Sequence, residues 1–253
     1  MNEIIKGKVV HGNNISGKLG FRTVNIDLKK GEIEDGVYKI NIKIKSKIYH
    51  GIGTYLERNE TFESHIFDFN KNIYGSFVEI VLLKKIRNNK KFDNKESLIK
   101  QIKKDIKEVK KDKNYVVTFG TFDILHPGHN YYLNTAKFYS DKLVTIVATD
   151  NNVKKFKGHF PINNSSTRLE NLKKLKIADI TMVGEEKSPM KIIELYNPSI
   201  ICLGYDQIGF TSTLEKYISE NKLNTSIIRI PPFKEDIFKS SIIKEKMVEV
   251  KSL

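Results

Sequence analysis

Cysteine is nearly missing: Cys202 stands alone among 253 residues, which excludes an internal disulfide framework and any cysteine-rich metal site. Arginine is scarce as well, since Arg22, Arg58, Arg87, Arg168 and Arg229 are the only arginines among 44 basic residues. Proteins that read base edges lean on the flat, bidentate guanidinium fork. The net charge of +14 is therefore read first as a lysine-rich solvated surface and second as attraction for phosphorylated metabolites; no nucleic acid is expected as a partner. No apolar stretch approaches the roughly 18–20 residues of a membrane span, and the opening Met-Asn-Glu-Ile-Ile-Lys-Gly-Lys lacks the apolar core of a secretory leader. A cytoplasmic protein without membrane contact is the expectation. With 39% hydrophobic residues in 253, two modest cores are expected rather than one large one.

The two cores differ in period. From residue 4 to 86 apolar and polar residues alternate, as in Val37-Tyr-Lys-Ile-Asn-Ile-Lys-Ile and Ser76-Phe-Val-Glu-Ile-Val-Leu-Leu, with glycines between the runs. About six short strands without helical interruption predict a small antiparallel barrel. At Asp93 the pattern changes. Asp93 and Glu96 form a candidate capping box, and Leu98, Ile102, Ile106 and Val109 recur at helical spacing, so a helix should pack on the barrel. Residues 107–114 read as a solvated, lysine-rich link. From Tyr115 onward, strands (115–119, 143–149, 179–183, 199–203, 226–230) alternate with helices (near 129–139, 167–176, 189–196, 211–221). Uninterrupted apolar strands such as Leu143-Val-Thr-Ile-Val-Ala fit a parallel sheet covered on both faces. The expected architecture is a β-barrel domain over 1–112 and a doubly wound α/β domain over 113–253.

One stretch carries most of the chemistry: Thr118-Phe-Gly-Thr-Phe-Asp-Ile-Leu-His-Pro-Gly-His129. A strand passes through a tight turn into a helix start, where unpaired backbone N–H groups and the positive dipole end attract phosphate. His126 and His129, three residues apart, lie on one side of that first turn and are placed to stabilise charge at a phosphorus centre under attack. Further polar residues gather at the carboxyl ends of later strands, notably Asp150 and Gly204-Tyr205-Asp206-Gln207, where ligands of doubly wound sheets bind.

These residues resemble the nucleotidyltransferase superfamily, within it the archaeal-type FAD synthases and their glycerol-3-phosphate cytidylyltransferase relatives. The resemblance spans nearly all of 115–245 and adds Lys157-Gly158 before Pro161, Arg168, and the serine motif Phe238-Lys-Ser-Ser-Ile-Ile-Lys244. It implies a Rossmann-like domain in which a substrate phosphate attacks the α-phosphorus of a nucleoside triphosphate and releases pyrophosphate. By resemblance His126 and His129 are catalytic and hold the triphosphate, with Gly120, Thr121 and Phe122 lining the turn. Lys157 and Arg168 support its negative charge, and Ser240 and Ser241 bind phosphate at the start of a C-terminal helix. Gly204, Asp206 and Gln207 contact the nucleotide's sugar or base. The Gly-Tyr-Asp-Gln sequence points to ATP and FMN, while CTP with a small phosphate ester remains open. Where the superfamily often ends its serine motif in arginine, this chain has Lys244.

The first half resembles the ATP-dependent riboflavin kinases over about residues 5–106, through Gly7-x-Val-Val-His-Gly12, Gly17-Lys-Leu-Gly20, Thr23-Val-Asn25, Gly36-Val-Tyr38, Glu63-x-His65, Tyr74-Gly75 and Ile86-Arg87. That resemblance makes Glu63 the general base for a ribityl hydroxyl. It gives Thr23 and Asn25 the Mg²⁺ ion (or another divalent cation) and lets Gly17 and Gly20 approach the nucleotide. The family's Pro-Thr-Ala-Asn appears here as Arg22-Thr23-Val24-Asn25. Together the halves imply a bifunctional flavin enzyme with riboflavin, FMN and ATP as its small-molecule partners. A cytidylyltransferase beside a flavokinase-like barrel, and a non-catalytic flavin sensor, are the alternatives.

Overall fold

The alternating first half folds into β1 (Ile4–Val10), β2 (Thr23–Asp27), β3 (Gly36–Ile44), β4 (Lys47–Leu56), β5 (Thr61–Ile66) and β6 (Phe77–Arg87). The computed structural model describes residues 3–11, 23–186, 190–234 and 236–238. The chain divides into two compact units, Met1–Lys113 and Asn114–Leu253. In the first unit the six strands close into a barrel in the order β1-β2-β5-β4-β3-β6, every described pairing antiparallel. Period two decides which side chain points where. On β5, Phe62, Ser64 and Ile66 are buried while Thr61, Glu63 and His65 are half-buried on the other face. Phe62 joins Ile26, Ile40, Ile42, Tyr55 and Ile80 in the interior, all without solvent contact. Each such side chain contributes about 1.5–3 kcal/mol over its exposed state.

Strand β3 is buried on both faces because a helix, α1 (Lys95–Lys111), covers the barrel's outside. Val109 packs there with Val37 and Ile52, beside Ile86, Ile106 and Phe67. Asp105 on α1 is buried, accepting from Arg87 Nη2 at 2.8 Å, Arg87 Nε at 3.0 Å and Gln101 Nε2 at 2.7 Å, which pins the helix to β6. Two sequence expectations need correction. The cap is Asn94, whose side chain accepts from Ser97 N at 2.8 Å while Ser97 Oγ donates back to Asn94 O, so the cap sits one residue later than Asp93 with Glu96. The lysine-rich 107–111 is helix rather than link. Lys110 and Lys111 fall in the last turn, where cations suit the dipole, and Lys110 Nζ lies 4.9 Å from the Phe67 ring centre.

The second unit is doubly wound. It runs β7 (Tyr115–Gly120), α2 (Pro127–Phe138), β8 (Lys142–Val147), α3 (Asp150–Lys157), α4 (Ser165–Lys174), β9 (Ile180–Val183), α5 (Lys191–Tyr196), β10 (Ile200–Gly204), α6 (Thr211–Glu220) and β11 (Ser226–Ile230). The parallel sheet has the order β11-β10-β7-β8-β9. Leu133 and Ala136 of α2 and Leu172 of α4 pack on one face; Ile192 and Ile193 of α5 and Leu214 of α6 pack on the other. The chain winds outward from β7 through β8 to β9, then crosses to β10 and β11. The strand order therefore reverses between β7 and β10, and a crevice opens beyond their carboxyl ends. Helix α3 was not anticipated from the sequence. Its signals were present: Thr149 accepts from Asn152 N as the N-cap, and Gly158 closes the helix at φ 79°. Among the described residues no helix is long and apolar enough to cross a membrane.

Candidate functional site

His126 and His129 sit at the reversal point, where β7 hands over to α2. His126 caps α2: its backbone is extended at φ −147° and its Nδ1 accepts from Gly128 N at 3.1 Å, with Pro127 at the first helical position. Accepting at Nδ1 leaves the neutral ring's proton on Nε2. Gly128 is needed because a Cβ there would lie 2.9 Å from the imidazole. The two rings stand 3.9 Å apart, tilted by 33°. Burial lowers the pKa of His126. Burial, followed by the neighbouring His126 and the Lys157 ammonium, depresses His129 to about 3. Both imidazoles are thus neutral donors at physiological pH. The His129 Nδ1 is buried with no hydrogen-bond partner among the described residues, a cost of order 1–3 kcal/mol unless a ligand meets it.

The desolvation has a visible source. Phe122, buried, places its ring 5.3 Å from that of His129 and adopts φ +52°, a left-handed conformation unusual for a bulky residue. Its ring lies over Gly120, where a Cβ would approach to 2.6 Å. Phe122 is therefore an apolar surface packed against His129. Strain of about 1–3 kcal/mol is concentrated in this turn.

Arg168 departs furthest from expectation. It was assigned to the triphosphate, yet its side chain has no solvent exposure. Its guanidinium donates to Asn163 O at 2.9 Å, Thr121 O, Ala148 O at 2.6 Å and Asp150 Oδ1 at 2.6 Å. Arg168 is a buried clamp that joins the ends of β7 and β8 to α4. Asp123 works alongside it, accepting from Ile162 N and Asn163 N, both at 2.9 Å. Gln207 is similarly committed: Oε1 accepts from Gly204 N at 2.9 Å and Nε2 donates to Phe119 O at 2.8 Å, which ties β10 to β7 across the crevice. The Tyr132 hydroxyl donates to Cys202 O at 2.7 Å beneath the same seam. The Cys202 thiol is pushed up to about 12 by burial and is inert. Asp206, in contrast, is exposed at the crevice lip beside Gly204, and exposed Lys157 ends α3 close enough to bias His129. Asp123 is part of the histidine motif itself, whereas Asn163 and Tyr132 carry no sequence signal of a functional role beyond their positions relative to that motif. Gly17, Gly20, Ser240 and Ser241, with Arg22 and Lys244, lie outside the described residues.

On the barrel, the ladder brings Glu63, Thr23 and Asn25 together. Asn25 faces Glu63 across β2 and β5, Thr23 faces His65, and Thr54 on β4 faces Glu63 from the other side. Directly opposed residues share a face with Cβ atoms about 5 Å apart, so oxygen donors line up on the barrel's outer surface. Asn25 is buried and Glu63 half-buried. Among the described residues no group of three or more His, Cys, Asp or Glu forms a metal cage. A hard cation here would lean on neutral oxygens and on substrate phosphates, the usual habit of Mg²⁺.

A family model described as cytidylyltransferase-like matches residues 117–246. The chain belongs to the cytidylyltransferase-like family. Its first half, residues 2–112, matches a riboflavin kinase (flavokinase) model. Over 142 residues the chain is 44% identical to a protein named FAD synthase from Thermococcus sibiricus, covering 55% of this chain and 96% of that relative. A second FAD synthase, from Pyrococcus abyssi, is 39% identical over 137 residues, 53% of this chain and 93% of the relative. The crystal structure of riboflavin kinase from Trypanosoma brucei is 25% identical over 43% of this chain and 74% of that one, with a TM-score of 0.34.

Proposed function

We propose that the chain makes FAD from riboflavin in two steps, with residues 1–112 as the kinase domain and 113–253 as the adenylyltransferase domain. In the first step the riboflavin ribityl hydroxyl attacks the γ-phosphorus of ATP, forming a P–O bond as ADP leaves. Glu63, in the Asn25–Glu63–Thr54 row, takes the hydroxyl proton. Thr23 and Asn25 would hold the Mg²⁺ ion against the phosphates; the ion supplies charge neutralisation. In the second step an FMN phosphate oxygen attacks the ATP α-phosphorus and the bond to pyrophosphate breaks. No protein nucleophile is required, so catalysis is positioning and charge stabilisation.

The observation that carries the second step is the neutral, closely apposed imidazole pair at the β7/β10 crevice with the His129 Nδ1 unpartnered among the described residues. Such donors meet a polyphosphate without first shedding bulk water. Lys157 adds charge from α3, Asp206 takes a nucleotide hydroxyl at the lip, and Arg168 and Gln207 hold the crevice walls in place. Ser240 and Ser241 are assigned to phosphate by family resemblance. ATP is preferred to CTP because the relatives are named FAD synthase. A flavin-synthesising enzyme of this kind works in the cytoplasm, on small molecules, without nucleic acid. Incubation with riboflavin and Mg-ATP should yield FMN and then FAD by chromatography. Turnover of FMN with CTP alone would overturn the assignment.

A further inference from the structure

A cavity of about 550 Å³ opens beyond the carboxyl end of β8, between α3 and the start of α4. Phe160, Pro161 and Ile162 form its apolar wall, with Thr149, Asn151 and Asn164 on the polar rim. Phe160 is 53% exposed and Ile162 64%, so the wall stands in water unless something covers it. Five of its eight lining residues are polar, Asp150 and Ser165 included, so the cavity is open and two-sided, one side apolar and the other able to hydrogen-bond; its volume is in the range of small-molecule sites.

We infer that this cavity seats the isoalloxazine ring of FMN, the acceptor of the adenylyl group. The inference deepens the proposed function and rests on it. The argument begins with strand order: β7 lies between β10 and β8, so the imidazoles after β7 have the Gly204–Asp206 lip on one side and this cavity on the other. An in-line displacement at phosphorus needs the attacking and leaving groups on opposite sides of the reacting atom. With the donor's sugar and base at the β10 lip, the volume beyond β8 is left for the acceptor, whose phosphate must then approach the α-phosphorus opposite the departing pyrophosphate. The wall is also rigidly indexed to the histidines, because Asp123, three residues before His126, holds Ile162 N and Asn163 N. The Arg168 clamp fixes Asp150 on the cavity lining to the end of β7. The ring chemistry fits as well. Isoalloxazine is a flat apolar slab with one uracil-like edge of carbonyls and an N–H, matched by an aliphatic and aromatic wall facing side-chain amides. Lys154 Nζ, 4.5 Å from the Phe160 ring centre, brings positive charge to this wall for the FMN phosphate.

The test uses the full-length protein with FMN supplied directly, varying FMN at saturating ATP and then the reverse. Phe160→Ala and Ile162→Ser should each lower kcat/KM for FMN about tenfold while leaving KM for ATP unchanged. Phe160→Tyr should restore the wild-type value. Both side chains are exposed, so folding is preserved, and an unchanged melting temperature checks this. Wild-type kcat/KM for FMN in both variants, or a loss confined to ATP, would overturn the assignment while FAD synthesis by the wild type stands. A wild type that makes no FAD from FMN and ATP removes the parent reading, and this one with it.

Discussion

The two candidate sites of this chain are built on opposite principles. On the barrel, Thr23, Asn25 and Glu63 are ordinary ladder positions: once β2 pairs with β5 in its register, Asn25 must face Glu63. In the α/β unit the site depends on groups whose polar atoms are engaged within the protein. Arg168, Asp123, Gln207 and Tyr132 spend their polar atoms largely on the protein's own backbone, and the histidines are held neutral by burial, with Phe122 packed against His129. The contrast teaches that a ladder site can lose a side chain without losing its frame, whereas the crevice site cannot lose its braces.

The largest expected effect separates the two chemistries. Glu63→Gln should lower riboflavin phosphorylation by about 10²–10⁴-fold, the usual worth of a general base. Adenylylation of supplied FMN should not change, and separate assays of each step read the difference. Next comes the brace. Arg168→Ala leaves the Asp150 carboxylate and three backbone carbonyls without their donor, and should cost about 3–5 kcal/mol. Denaturant unfolding followed through the second unit should record that loss, with the kinase step intact.

A pH experiment sharpens the comparison further. The folded-state pKa of His129 is about 3 against 6.5 for the free imidazole, so between those values the unfolded chain binds the extra proton. Stability is therefore complete above pH 6.5 and falls as pH drops toward 3. Carboxylates such as Asp179 titrate later. Burial would raise its pKa, but hydrogen bonds from Lys137 and Leu143 N hold it below 3.8. In His129→Asn the slope of melting temperature between pH 6.5 and 4.5 should flatten. The smallest effect concerns the barrel's helix: Asn94→Ala should cost about 1 kcal/mol as a lost N-cap, whereas Asp93→Ala should leave stability unchanged.

Much of this architecture was legible in the residues. Period two named the barrel, and uninterrupted apolar runs named the parallel sheet, because both are consequences of which faces are buried. Thr23, Asn25 and Glu63 were nameable only through the resemblance to the riboflavin kinases; that Asn25 pairs with Glu63 comes from the register of β2 and β5. The burial of Arg168 was not legible, because a family motif that assigns an arginine to phosphate says nothing about exposure; its clamp exists only when the ends of β7, β8 and α4 converge. Helix α3 escaped notice because its eight residues hold mostly polar and basic side chains with one buried valine, Val153, too little for a periodic signal. The capping box failed by one residue, since Asn94 competes with Asp93 for the same role and only backbone geometry chooses between them. The wall of Phe160 and Ile162 has no sequence signature, because its meaning comes from lying beside β7.

The account depends most on the imidazole of His129. Full-length His129→Asn protein given riboflavin and Mg-ATP should accumulate FMN at the wild-type rate while FAD formation falls at least a hundredfold. FAD appearing at the wild-type rate from that variant would contradict the account.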